Sequence, residues 1–193
     1  MDRLGLAGRA GLQSEATREQ AELVPLRVGL AVQELLLRHR ARTVLVVCPA
    51  PWCVKWRDEM AEKFGLEFRI VDAECLHQLR RSRGPYVNPW THFPRLITSI
   101  DWLKRDRPLR LLGDVLPAGP ATLPRTFGLL IVDEVHGCAP SGRGRYANDS
   151  LPTAAIRRIA PHLEHRLFLS VTRVGAAVLS VGRQHRRRGC LQQ

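Results

Sequence analysis

Asp133, Glu134 and His136 stand at the end of an apolar run, Phe127 to Val132, and their types and spacing suit phosphate chemistry. A carboxylate at Asp133 can hold Mg²⁺ through water, because that ion sheds its hydration shell reluctantly and takes one or two protein carboxylates beside substrate phosphates. An adjacent Glu134 can orient and deprotonate the water that attacks a terminal phosphate. His136, two residues on, can relay the state of that site to another element. The plainer reading of the same residues is an acidic loop that follows a strand and caps the next helix. Taken alone, these residues leave both readings open.

The surrounding elements raise the first. The run from Phe127 to Val132 is continuously apolar, which predicts a strand buried on both faces, as in a parallel sheet. Ligands of such sheets lie beyond the carboxyl ends of the strands, where Asp133 and Glu134 fall. Upstream, Val28, Val32, Leu35 and Leu36 share one helical face, closed by Arg38-His39-Arg40. Thr43 to Val47 is short and β-branched, stopped by Pro49 and Pro51. Trp52, Trp56, Met60 and Phe64 then recur every four residues along a helix that Gly65 ends, a stripe read as core packing rather than base stacking. Glu67 to Val71 predicts a strand, Ala73 to Arg80 a helix, and Arg81 to Phe93, with Gly84, Pro85 and Pro89, a long loop. Arg95 to Ile100 predicts another strand, with Ser99 or Asp101 placed to cap a helix starting near Trp102. Ala154 to Ala160 reads as a helix and Arg166 to Ser170 as the last strand. This alternation implies an α/β fold with a parallel sheet and helices on both faces.

In order, four of these segments resemble motifs of Swi/Snf-type superfamily-two helicases and translocases. Val44 to Trp56 resembles the second helicase motif, an apolar strand, a Pro-bearing loop and a Trp-bearing helix. Leu96 to Asp101 resembles the next motif, which contacts nucleic acid. Leu129 to His136 resembles the Asp-Glu-x-His box, and Leu167 to Thr172 the Leu-x-Leu-Ser-Ala-Thr motif. The resemblance covers residues 29–172 and implies the N-terminal RecA-like lobe of a DNA-translocating ATPase, a three-layer parallel sheet flanked by helices. It further implies ATP and Mg²⁺ as cofactors, with Asp133 on the metal through water and Glu134 on the attacking water. His136, Ser170 and Thr172 would couple the nucleotide to the DNA path. Pro49, Ala50, Thr98 and Ser99 would touch the backbone of double- or single-stranded DNA, contacts that position without reading sequence.

The pattern is incomplete. The phosphate-binding loop, glycines with bare amides followed by Lys-Ser/Thr, is not found: no lysine precedes Lys55, and the glycines at 5, 8 and 11 lack that ending. No cofactor-binding residue is therefore identifiable, and the facing second lobe would be a partner. Residues 1–28 and 173–193 do not match. The first is expected to be partly disordered, with helical composition only at Ser14 to Leu23, and the second to be a basic, disordered tail; both are expected to derive from displaced coding sequence around a helicase core. Loss of the strand before the phosphate loop predicts a sheet left partly open, with an exposed apolar edge.

Composition sets the outer limits. The 193 residues suffice for one domain, and 45% hydrophobic residues argue for a folded one. The formal charge of +12 favours a polyanionic partner, discounted because all basic residues except Lys55, Lys63 and Lys104 are arginine or histidine, a bias that a GC-rich coding sequence would also produce. Five cysteines without a Cys-x-x-Cys pair support neither a zinc ribbon nor a redox motif and read as reduced thiols. No apolar segment is long enough to span a membrane, and the chain is expected in the cytoplasm. Two functions follow: part of a DNA-dependent ATPase, inactive alone, or a non-catalytic nucleic-acid-binding module that uses the basic tail around Arg183 to Arg188.

Overall fold

The computed structural model describes residues 26–116, 127–134, 150–172 and 175–178, the seven of these from Ser170 onward as backbone only. His136, the Pro117–Pro124 connection and the Arg183–Arg188 run lie outside the described residues.

A six-stranded sheet organises the chain. Its strands are β1 (Val44–Cys48), β2 (Arg69–Ile70), β3 (Arg95–Ser99), β4 (Phe127–Val132), β5 (Leu163–Thr172) and β6 (Gly175–Val178), in the order β2-β3-β1-β4-β5-β6. The first five run parallel, and β6 returns antiparallel to β5. The helices are α1 (residues 26–37), α2 (Cys53–Phe64), α3 (Ala73–Arg83), α4 (Pro89–His92), α5 (Ile100–Leu103), α6 (Asp106–Gly113) and α7 (Leu151–Ile159).

Every residue of β1 is buried, because alternate side chains feed two separate cores. Val44, Val46 and Cys48 pack with Ile97, Leu129, Ile131 and Leu167 beneath Val32 of α1 and Trp56 and Met60 of α2. Leu45 and Val47 face the other way, with Leu96, Leu130 and Val132, beneath Leu76 of α3, Trp102 of α5, Leu112 of α6 and Ile156 of α7. A strand with helices on both sides cannot alternate apolar and polar residues, hence the unbroken runs at 44–48 and 127–132. The result is the three-layer α/β fold read from the sequence.

The Trp/Met stripe also packs as expected: Trp56 and Met60 are buried, Trp52 and Phe64 lie against the same core, and Lys55 and Lys63 reach Glu59 at 3.7 and 3.5 Å on the outer face. Gly65 ends α2 in the left-handed conformation that glycine adopts freely (φ 63°), its N–H donating to the Ala61 carbonyl.

Several element limits differ from the sequence reading. The strand expected at 67–71 shortens to Arg69–Ile70, an edge strand paired on one side only. The expected loop at 81–93 begins with the last turn of α3 and contains α4, a single turn too short to show a period. Its Asn88 caps Trp90 N–H, and the buried Trp90 indole donates to the Pro108 carbonyl at 3.2 Å. The helix near Trp102 is two helices, α5 capped by Ser99 and α6 beginning at Asp106. Both β5 and α7 start three residues earlier than read, α7 from a Ser150 cap.

At the flanks, α1 starts at residue 26, with Val28 buried on the face read from the sequence, and Gly175–Val178 within the expected disordered tail forms β6. Nor is the sheet open between its strands. β4 pairs directly with β5, Leu129 opposite His165 and Ile131 opposite Leu167, so both edges of β4 are hydrogen-bonded.

The entry to β4 is held by a close approach. Thr43 accepts Gly128 N–H on both its carbonyl and its hydroxyl, at 3.1 and 2.9 Å. A Cβ on Gly128 would stand 2.7 Å from Ala41 Cα and 3.0 Å from Arg42 N, backbone atoms that cannot swing aside. Gly128→Ala should therefore lower unfolding free energy by about 1–3 kcal/mol, as overpacking does. Urea denaturation followed by far-UV circular dichroism reads this; an unchanged midpoint would contradict it.

Candidate functional site

The parallel register brings three loops to one rim of the sheet. Cys48 lies opposite Ser99, and Val47 opposite both Thr98 and Val132, so the chain leaves β1, β3 and β4 at the same level. One further bond, Asp133 N–H to the Val47 carbonyl at 2.8 Å, carries the β4 ladder a residue beyond its last strand position. Pro49–Ala50, Thr98–Ser99 and Asp133–Glu134 thus share the carboxyl rim of the sheet.

Asp133 is 6% exposed, and a carboxylate so enclosed needs partners. Its Oδ2 accepts the indole N–H of Trp56 at 2.8 Å, and its Oδ1 accepts the backbone N–H of Glu134 at 3.0 Å. Trp56 is 1% exposed, so its N–H also depends on this bond. The stripe on α2 is therefore more than packing: one of its members reaches across to the acidic pair. The sequence held a signal for this, an indole on the sheet-facing side of the helix that follows β1, but no period reveals a partner 77 residues away.

Glu134 takes a left-handed backbone (φ 58°), which turns the chain sharply off the strand. For a residue with a Cβ this conformation costs roughly 1–2 kcal/mol, and such strain gathers at functional positions.

The loop after β1 is closed by a second feature that the sequence reading treated as two unremarkable thiols. Cys48, ending β1, and Cys53, opening α2, place their Sγ atoms 3.5 Å apart, and Cys53 Sγ lies 3.8 Å from the Pro49 carbonyl. The hydrogen bond to Cys53 pushes the Cys48 thiol far above the usual range, helped by burial and by the negative charge of Cys53 and Asp133. The same bond draws Cys53 down against its own burial. Either sulfur can donate to the other across this contact. Pro49 is half-buried and Ala50 exposed at the tip between them.

Thr98 is fully buried, and its hydroxyl donates to the Val71 carbonyl at 2.9 Å, anchoring the chain just after β2. Its hydroxyl faces the protein, so of the pair only Ser99 reaches the surface, half-buried, with its Oγ accepting Trp102 N–H at 3.1 Å. Ser170 and Thr172 lie on β5, opposite Ala177 and Gly175 of β6.

Each Asp133 oxygen accepts a protein donor, and the sequence holds no lysine before Lys55 to neutralise a triphosphate.

Trp56→Phe keeps the ring and removes the donor, leaving a buried carboxylate short of one bond. It should destabilise the fold by about 1.5–3 kcal/mol, the range for bonds to charged groups, measured by denaturant unfolding. At Glu134 the backbone alone is tested by comparing two truncations. Glu134→Gly should be more stable than Glu134→Ala by about 1 kcal/mol, the reverse of the usual order at ordinary φ.

No protein-family model matches the chain. It is 32% identical over 111 residues to the RNA polymerase-associated protein RapA of Stutzerimonas stutzeri, covering 58% of this chain and 10% of that protein. With the RapA of Yersinia pestis it shares 27% identity over 148 residues, 76% of this chain and 14% of that protein. The chain therefore spans a small part of the length of these curated relatives. In fold it is similar to the Sulfolobus solfataricus SWI2/SNF2 ATPase core solved in complex with double-stranded DNA. The TM-score is 0.51 at 16% identity, over 78% of this chain and 25% of that one. The chain is thus similar in sequence to part of RapA and carries a RecA-like α/β fold similar to that of the SWI2/SNF2 ATPase core.

Proposed function

We propose that this chain is part of a DNA-dependent ATPase of the translocating kind and that, by itself, it binds DNA without turning over ATP. The observation that carries the reading is the shared rim: Pro49–Ala50, Ser99 and Asp133–Glu134 leave neighbouring parallel strands at one level. Loops so aligned offer amides and hydroxyls along a line, which suits a sugar-phosphate backbone. The net charge of +12 favours the same partner. Thr98 contributes from beneath, by fixing the end of β2 through Val71.

ATP turnover is left out because the sequence holds no glycine-rich loop ending in Lys-Ser/Thr to cradle a triphosphate beside the acidic pair. The roles that the resemblance implies for Asp133, Glu134, His136, Ser170 and Thr172 belong, on this reading, to an assembled site with a phosphate loop and a second lobe. No helix among the described residues is long and apolar enough to cross a membrane.

Two measurements test this. Fluorescence anisotropy with a labelled duplex should give an affinity that falls steeply with salt, log K against log [salt] sloping by about −0.9 for each phosphate neutralised. Calorimetry with ATP and Mg²⁺ should show no saturable heat at micromolar nucleotide. A micromolar dissociation constant, or hydrolysis stimulated by DNA, would restore the catalytic reading, and salt-independent or absent DNA binding would remove the nucleic-acid one.

A further inference from the structure

Between α3 and the start of α6 lies a cavity of about 490 Å³ whose polar lining is almost wholly cationic. His77 and Arg80 come from α3, and Arg105 and Arg107 from the chain entering α6, with Trp102 and Pro108 among the apolar lining. No acidic side chain lines it. Of the carboxylates nearest in sequence, Asp72 caps Cys75 N–H, Glu74 holds Gln78, Asp101 holds Lys104 at 2.7 Å, and Asp106, between Arg105 and Arg107, stands exposed outside the lining. Among the described residues, Arg80, Arg105 and Arg107 form no ion pair.

One donor stands out. Arg80 Nε is shielded from solvent and has no hydrogen-bond partner. A buried N–H of a charged group left unmade is costly, by more than the 1–3 kcal/mol of a neutral one. The Arg80 side chain also lines the cavity, so its charge joins those of Arg105 and Arg107 with no acid to balance them there. The aromatic part of the lining is held in place: the Trp102 ring lies 5.6 Å from that of Trp90, and Trp90 is tied to the Pro108 carbonyl. Guanidinium groups on a rigid frame suit phosphate oxygens, which they meet with paired N–H donors.

We propose that this cavity is a phosphate-binding site, taking a phosphate ester with Arg80 at its floor and Arg105 and Arg107 at its mouth. The site lies apart from the four sequence motifs, yet the N–H of Trp102, in the first turn of α5, is held by the Ser99 cap at the rim described above. The phosphate is either one link of a bound nucleic-acid strand or that of a free nucleotide-sized ligand. The first source rests on the DNA-binding reading; the phosphate site itself does not.

The ¹H–¹⁵N signal of Arg80 Nε, assigned by its loss in Arg80→Gln, is followed while inorganic phosphate and then a single-stranded oligonucleotide are added. Saturable shifts with phosphate, weakened tenfold or more in Arg80→Gln, are expected. Arg105→Gln/Arg107→Gln alters two exposed residues and so tests the mouth without threatening the fold. If it also weakens oligonucleotide binding about tenfold and flattens the salt slope by about 2, the phosphate belongs to the nucleic-acid backbone. If phosphate binds while oligonucleotide affinity is untouched, the site stands and its ligand is a free phosphorylated molecule. An Arg80 signal unmoved by tens of millimolar phosphate and by bound oligonucleotide overturns the proposal. DNA binding that persists there, but is weakened by Ser99→Ala, would leave the earlier reading intact.

Discussion

The structure depends on β1 having no exposed surface at all. Its five residues hydrogen-bond to β3 on one side and β4 on the other, while their side chains divide between two helix-covered cores. Burying a side chain the size of valine or leucine contributes on the order of 1.5–3 kcal/mol. A strand buried on both faces draws that contribution from every residue, so β1 fixes the level of its neighbours more firmly than any loop contact can. The rim where Ala50, Ser99 and Asp133 emerge is a consequence of that register.

On this frame Asp133 is a compromise between charge and enclosure. A carboxylate at the end of a buried strand would lose its hydration with nothing in return. Trp56 and the Glu134 amide supply two donors, and the left-handed turn at Glu134 is what brings that amide back to its own neighbour's side chain. Because Trp56 is rooted in the α1–α2 core, the acidic end of β4 and the helix after β1 move together or not at all. The Cys48–Cys53 contact bridges the two ends of the same loop. The three groups make the turn from β1 into α2 a rigid part of the rim.

The cationic cavity behind Trp102 follows a different logic. There the frame is aromatic and the charges gather without an acid among the lining residues to answer them. Both regions are organised around a buried tryptophan, one of which donates to a carboxylate and one of which lines a pocket. The same residue type thus serves opposite electrostatic ends within one sheet.

Much of this was legible in the chain. The apolar runs at 44–48 and 127–132 declare parallel strands because burial on both faces removes any reason to alternate. The four-residue recurrence from Trp52 to Phe64 declares a helix, and Gly65 its end. What sequence could not supply were the facts that join distant segments. Trp56 meets Asp133 because two strands register, not because of anything local to either. Thr98 turns inward because β2 ends beside it, and α4 forms because Trp90 finds Pro108 rather than through any helical period of its own. Direct pairing of β4 with β5, and the return of β6, were likewise decided by which backbone edges needed partners. Sequence determined the periodic elements, since each residue's neighbours along the chain set its burial. Only the folded sheet decided the site, since hydrogen bonds between remote side chains exist once register has fixed their distance.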